Sequence, residues 1–264
     1  MNSGGELVVV GCGIELGRHL SERALSEIRL ADEVIALADA FALAWLGSLR
    51  PDFTSLAPCY ADDKDRRQSY REMEAAVLEP VRAGRRVCAV FYGHPGVFAQ
   101  VPHAAIRRAR AEGYPARMEA GISVEACLYA DLGMDPGDAG VQSYESTRFL
   151  ISQCPVNPAA LLLLWQVALT GKLDCTGFEP EPARLRILVD KLLRWYPRDA
   201  PAILYEAARL PIERFRAERL SLAELPVAMY REHTTLVVPP VIDGLEDEEV
   251  LACLRAIPKG ERSS

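Results

Sequence analysis

Histidine is scarce in this chain. There are four in 264 residues, and His19, His94, His103 and His233 show no spacing at which a metal ion is held. The seven cysteines are odd in number and scattered, with no C-x-x-C pair, which fits reduced thiols and excludes a disulfide frame or a zinc ribbon. No hydrophobic run is long: "PAALLLLWQVAL", Pro158 to Leu169, falls short of a bilayer span. The opening "MNSGGELVVVGCG" lacks the basic and apolar regions of a secretory signal, so a cytoplasmic protein is expected. Basic charge is in deficit, 30 Lys and Arg against 37 Asp and Glu, for a formal net charge of -7. That balance argues against a nucleic-acid platform, and neither nucleic acid nor membrane is expected as a partner. P-loop, Ser-His-Asp and paired-carboxylate patterns are absent, which weighs against kinase and hydrolase chemistry. Glycines at Gly11, Gly13 and Gly17 miss the G-x-G-x-x-G spacing, which weighs against a nicotinamide site even though Asp39 follows the second strand.

What is present is α/β patterning. Half of the residues are hydrophobic and a quarter are charged, as in a globular protein. "ELVVVGCG", "EVIALA" and "RRVCAVFYG" read as buried strands. "LGRHLSERALSEIRLA", "AFALAWLGSL", "DDKDRRQSYREMEAAVLEPVRAG" and "PHAAIRRARAEG" read as helices between and after them, and "YPARMEAG" as a short strand. Strands alternating with helices predict a mainly parallel sheet with right-handed crossovers. Further on, "GVQSYES", "AALLLLWQ", "AILYEAA" and "EHTTLVVPP" read as strands and "EPARLRILVDKLLRWY" as an amphipathic helix, which predicts a mixed sheet. The expected organisation is an N-terminal α/β subdomain over 1–118, a C-terminal one over 119–241 and a short helical tail over 242–264.

Three stretches carry candidate chemistry. "VFYGHPGVF", Val90 to Phe98, runs from a buried strand into Gly-His-Pro-Gly. Glycine and proline together there suit a backbone that bends sharply or approaches something closely. A plain connection explains the turn as well on local grounds. "CYADDKDRRQSYREM" sets Arg66 and Tyr70 four apart, on one face of a helix, with Tyr60 on the approach. A solvated, salt-bridged helix accounts for this stretch locally. The sharper reading is a phenol whose proton affinity an adjacent guanidinium lowers and burial raises. Gln166 closes the apolar run "LLLLWQ", and its amide needs partners wherever it is buried. Thr234 and Thr235 open "TTLVVPP" with two hydroxyls, which β-branched strand propensity explains nearly as well as ligand binding does.

Taken in order, "GCG", "FYGHPGVF", "AGISVEACLYADLGMDP", "QSYESTRFL", "LLLLWQ" and "TTLVVPP" resemble the tetrapyrrole-methylase fold. Within it they look most like the borosin peptide α-N-methyltransferases, over about Glu6 to Pro240. The resemblance implies two α/β subdomains, a mainly parallel N-terminal sheet and a mixed C-terminal one, with the cofactor between them. It implies S-adenosyl-L-methionine as methyl donor, left as S-adenosyl-L-homocysteine, and backbone amides of a ribosomal precursor peptide as substrate. It carries cofactor contacts onto Tyr92, His94, Val97, Val124, Gln166, Ala207, Thr234 and Thr235, and catalysis onto Tyr60, Arg66 and Tyr70. Ala57 stands near a place where some relatives have a further tyrosine.

Many borosin enzymes are fused to their substrate, and this chain ends some twenty residues after Pro240. The expectation is a precursor supplied in trans to a homodimer, which with two precursors makes a heterotetramer. A methylase acting on a precorrin is the nearest alternative. A non-catalytic peptide-binding homologue is another. Either Tyr60 or Tyr70 is expected to take the amide proton, with Arg66 stabilising the anion, and no metal is needed.

Overall fold

The first apolar run becomes β1 (Glu6–Gly11) of a computed structural model that describes residues 4–61, 64–177, 179–244 and 246–257. Helix α1 (Glu22–Leu30) begins where Ser21 Oγ accepts from the Ala24 N–H at 3.1 Å. The helical spacing read from Leu16 onward is therefore realised only after Ser21. Gly17 takes φ 75°, and His19 Nδ1 accepts from the Ile14 and Glu15 amides, which ties the preceding stretch into a turn. There follow β2 (Glu33–Leu37), α2 (Ala40–Leu49) with Asp39 capping its first amides, and a two-residue strand β3 (Thr54–Ser55). Then come α3 (Arg66–Arg82), β4 (Arg86–Phe91), α4 (Gln100–Ala111) and β5 (Ala116–Met118). The strand that reads as third in the sequence is thus the fourth.

These strands form one parallel sheet in the order β3-β2-β4-β1-β5, with Val34, Cys88, Val8 and Arg117 in one row. Period-two alternation splits the strand side chains between two cores. Leu7, Val9, Val87 and Ala89 meet α3 and α4 through Met73, Val77, Val101 and Ala105. Val8, Val10, Val34 and Val90 meet α1 and α2 through Ala24, Ile28 and Leu46. Burial of each such valine or leucine contributes about 1.5–3 kcal/mol. A strand buried on both faces has no polar side to show, hence the unbroken apolar runs.

The second half continues with α5 (Val124–Leu132), the short α6 (Pro136–Ala139), β6 (Val141–Glu145), α7 (Ser146–Ile151) and β7 (Leu161–Trp165). After these come α8 (Pro182–Leu192), β8 (Pro201–Glu206), β9 (Arg216–Ser221), β10 (Thr235–Val238) and α9 (Glu248–Arg255). The sheet order is β6-β7-β10-β8-β9, with β6 parallel to β7 and the other pairs antiparallel. It is the mixed sheet that the sequence predicts. One face packs on α7 and α8 through Phe149, Leu185 and Leu188, and the other packs on α5 through Leu128. Strand β9 has no counterpart in the sequence reading. Its "RAERLS" is half-exposed and charged because it is the outer edge, where only one neighbour covers it and charge discourages further pairing. Among the described residues, no helix is long and apolar enough to cross a membrane.

Among the described residues, three of the contacts between the two halves bear on the site. The Leu16 N–H donates to the Arg209 carbonyl at 2.9 Å, and the Phe98 and Trp165 rings lie 5.5 Å apart. The third is Arg66, which reaches Cys175 and Gly177.

Candidate active site

The carboxyl ends of parallel strands are where an α/β sheet opens a crevice, and here three glycine turns meet at that edge. Gly13 and Gly93 pair as an isolated antiparallel bridge, with N–H to carbonyl distances of 3.2 and 2.8 Å. This joins the turn after β1 to the turn after β4. A Cβ on Gly11 would lie 2.2 Å from the Gly93 carbonyl oxygen, and one on Gly121 would lie 2.8 Å from the same atom. The glycines are required by close backbone approach, and the turn "YGHPGVF" is held from both sides. Inside it His94 Nδ1 accepts from the Gly96 N–H at 2.9 Å, and the Val97 N–H donates to the His94 carbonyl at 3.2 Å. His94 Nδ1 is therefore engaged in shaping the turn.

Tyr60 caps a 3-10 turn over Ala57–Cys59, and Arg66 and Tyr70 stand on the first two turns of α3, with Asp65 as its N-cap. The Tyr60 and Tyr70 rings meet edge to face, centroids 6.4 Å apart at 81°. Such a pair contributes about 0.5–1.5 kcal/mol beyond burial. Burial pushes the Tyr60 phenol well above its ordinary value. Tyr70 and then Tyr92 push it further, and Arg66 alone pulls it down. Tyr60 thus stays protonated at neutral pH. Tyr92 is also raised, by desolvation first and by Tyr70 and Glu232 after it, although 59% of the residue reaches solvent. The structure brings Tyr92, expected beside the cofactor, into electrostatic reach of both tyrosines expected to be catalytic.

The remaining expected residues lie in the second half, with Val124, Gln166 and Ala207 next to Trp165. Gln166 follows β7 in the left-handed region at φ 55°, and its neighbour Val167 donates its N–H to the Thr234 carbonyl at 3.2 Å. Val124, the first residue of α5, and Ala207, just past β8, both pack on the cluster that contains Trp165 and Tyr205. The Trp165 indole N–H donates to Ser143 Oγ at 2.7 Å, and its ring meets Phe98. Thr234 and Thr235 are fully buried. The Thr234 hydroxyl donates to Glu206 at 2.6 Å and accepts from the Arg231 N–H at 2.8 Å, so it is committed within the protein.

The sequence reading did not single out Phe98, Trp165, Cys175 or Gly177. Two of the four border quoted motifs, Phe98 ending "YGHPGVF" and Trp165 preceding Gln166. Phe98, Gln166 and Cys175 are the non-glycine residues with positive φ among the described residues, at 49°, 55° and 58°. Each takes part in or adjoins a contact between the halves: Phe98 meets Trp165, Gln166 follows Trp165, and the Cys175 carbonyl accepts from Arg66. Left-handed backbone of this kind persists only where its surroundings over-determine it, and it clusters at functional sites.

The side chains at the strand ends suit a methyl-donating sulfonium nucleoside: Asp39 supplies a carboxylate and Trp45 and Tyr92 aromatic faces, with the cationic Arg209 beside them. They line a narrow cleft next to Gly13, beside the cradle of glycine turns that pack backbone to backbone. A roomier groove of about 690 Å³ lies elsewhere, between Leu150, Leu173, Arg184 and Ile187 on the second half of the chain.

The family described as Tetrapyrrole (Corrin/Porphyrin) Methylases matches residues 6–236. A protein of Gymnopus fusipes, named as a methyltransferase and ribosomally synthesized cyclic peptide gymnopeptides precursor, is 38% identical over 222 residues, 84% of this chain and 53% of its own length. A methyltransferase and type I borosin cyclic peptide precursor of Coprinopsis marcescibilis is 39% identical over 224 residues, 84% of this chain and 57% of its own length. The chain thus spans a little over half the length of these relatives. Among solved structures, the uroporphyrin-III-C-methyltransferase of Thermus thermophilus superposes with a TM-score of 0.63 at 20% identity, covering 97% of this chain and 98% of that one, a likeness of fold.

Proposed function

The chain belongs to the tetrapyrrole methylase family, and we propose that it is a methyltransferase of borosin type, transferring methyl groups from S-adenosyl-L-methionine to backbone amide nitrogens of a precursor peptide. The observation that carries this reading is the cluster of Tyr60, Arg66, Tyr70 and Tyr92 beside the glycine cradle. A precorrin methylase has no evident need of such a set. The likeness to peptide precursors at 38% and 39% identity supports the peptide substrate.

A peptide N–H is a very weak acid whose nitrogen lone pair is delocalised, so methylation needs the proton removed and the oxygen's charge held. Tyr60, kept protonated by burial and by its neighbours, suits donation of a hydrogen bond to that oxygen. Tyr70, reacting as its phenolate, takes the amide proton and is left as the neutral phenol. Arg66, which lowers the proton affinity of Tyr60, favours negative charge at this spot and stabilises the imidate. General base and electrostatic help of this kind are each worth about two to four powers of ten in rate. S-adenosyl-L-methionine, when bound, supplies an electrophilic methyl group. Tyr92, His94 and Val97 of the turn, with Val124, Gln166 and Ala207 across from it, would hold the donor. Thr234 and Thr235 would act as support from behind. Enclosure between the two sheets keeps water from the reacting pair.

The test is incubation with S-adenosyl-L-methionine and a candidate precursor, as a separate chain and as a fusion, followed by peptide mass analysis. Increments of one methyl on backbone amides are expected, and their absence in both formats sinks the reading. Gain in the separate-chain format alone identifies a precursor supplied in trans. Sedimentation of the protein with and without that precursor checks the proposed homodimer and heterotetramer.

A further inference from the structure

Arg66 belongs to the first half of the chain, yet two of its hydrogen bonds run to acceptors 109 and 111 residues on, in the second. Its backbone N–H donates to the Cys175 carbonyl at 3.2 Å and its Nη1 to the Gly177 carbonyl at 2.9 Å. Both acceptors are in Gly171–Gly177, "GKLDCTG". Three of these seven residues are left-handed: Gly171 at φ 75°, Cys175 at 58° and Gly177 at 62°. A cysteine gains nothing from that conformation on its own. Its neighbours fix it there. The Gly171 N–H donates to Thr147 Oγ1 on α7 at 3.0 Å, and that hydroxyl donates to the Leu169 carbonyl at 3.1 Å. The Cys175 N–H donates to the Lys172 carbonyl at 3.3 Å, and Thr176 Oγ1 donates to Asp174 Oδ2 at 3.0 Å. The segment is therefore a rigid hook anchored on the second sheet's helices.

We propose that this hook is the positioning device for Arg66, with Cys175 and Gly177 acting through their main-chain carbonyls. The inference rests on the role given to Arg66 above. A guanidinium is a planar fork, so fixing one nitrogen and the backbone behind it fixes the direction of the remaining donors. These two bonds tie the aim of Arg66 to the second half of the chain, while the tyrosines beside it are set by the first. Correct geometry thus requires both halves to be docked. The left-handed turn at Cys175 is what brings the two carbonyls to bear on one residue.

Backbone shape can be tested apart from side-chain chemistry. Cys175→Val puts a β-branched residue where φ is positive, and Cys175→Gly keeps the turn while removing the sulfur. In the full chain, amide hydrogen exchange at Arg66 is expected to quicken at least about fivefold in Cys175→Val and to be unchanged in Cys175→Gly. With S-adenosyl-L-methionine and precursor present, kcat is expected to fall about ten- to hundredfold in Cys175→Val with the donor's Kd unchanged, and to be kept in Cys175→Gly. Equal exchange and kcat in wild type and Cys175→Val overturn the proposal. So does an equal loss in Cys175→Gly, which would assign the role to the sulfur. Should the wild-type protein transfer no methyl group, the proposed function falls, and the exchange comparison by itself decides whether the hook holds Arg66.

Discussion

Glu27 on α1 and Tyr60 ahead of α3 belong to opposite faces of one parallel sheet, and the protein treats their ionisation in opposite ways. Glu27 is 2% exposed and charged. Arg86 and Arg117 reach it at 2.6 and 2.8 Å and Arg23 at 2.9 Å, while Glu6 and Glu119 complete the ring of charges around the arginines. Burial by itself would raise its proton affinity. The bonds and charges of Arg86 and Arg117 outweigh that and hold it below the ordinary carboxylate range. Around Tyr60 burial wins, and the nearest groups are further phenols that add to it. One cluster is closed in charge and rigid. The other keeps the Tyr60 and Tyr92 phenols protonated, which suits hydrogen-bond donation.

If that contrast is right, the two clusters break differently. Tyr70→Phe and Arg66→Ala are each expected to lower methyl transfer by about two to four powers of ten with donor binding kept, thermal stability being unchanged in Tyr70→Phe and reduced in Arg66→Ala by about 2 kcal/mol for the lost bond to Gly177, as shown by turnover assays beside calorimetry. Retained activity in both would remove the proposed roles. Glu27→Ala is expected to do the reverse. It would cost about 3 kcal/mol, at the low end for a broken buried ion pair because its arginines still reach water, and leave turnover per folded molecule unchanged. Denaturant melts measure it, and an equal loss of activity would erase the distinction.

Glu206 offers a second closed cluster. Buried at 2% exposure, it meets Arg216 at 2.6 Å, Arg231 at 3.0 Å and the Thr234 hydroxyl. Thr234→Val should therefore lose about 2 kcal/mol of stability, the worth of a hydrogen bond to a charged group. A loss of donor affinity larger than the loss of stability would instead return Thr234 to the binding site. The smallest effect is a pH dependence. The carboxyl of Glu27 is depressed in the folded state, so its stabilisation is present above the ordinary value of 4.5 and is lost as pH falls through the lower folded value. Glu27→Gln should flatten the fall in stability below about pH 4.5 and change nothing above it. Acid melts of both proteins would expose an identical slope if the idea is wrong.

Much of the architecture was legible because it rests on short-range rules. Period-two burial on both faces marked β1, β2 and β4, and strand-helix alternation marked the parallel sheet. The start of α1 was misplaced because Gly17 and the ring of His19 favour a turn that periodicity does not register. The charged edge strand β9 escaped because burial on one side leaves no apolar alternation to read. Arg66 and Tyr70 could be put on one helix face from their spacing, and structure agrees. The partners of that face could not be read.

By itself, then, the sequence determined the elements, the parallel core and the glycine turn that needs close backbone. Each follows from forces acting within a few residues: steric freedom at φ, alternation along a strand and capping of a helix. Tertiary packing decided the rest. Within the first half it brought Tyr92 to Tyr60 and Tyr70, within the second it gave the Thr234 hydroxyl to Glu206, and between the two it turned Arg66 toward carbonyls 109 and 111 residues away. Those pairings depend on how packed elements meet in space, and no local preference along the chain encodes that.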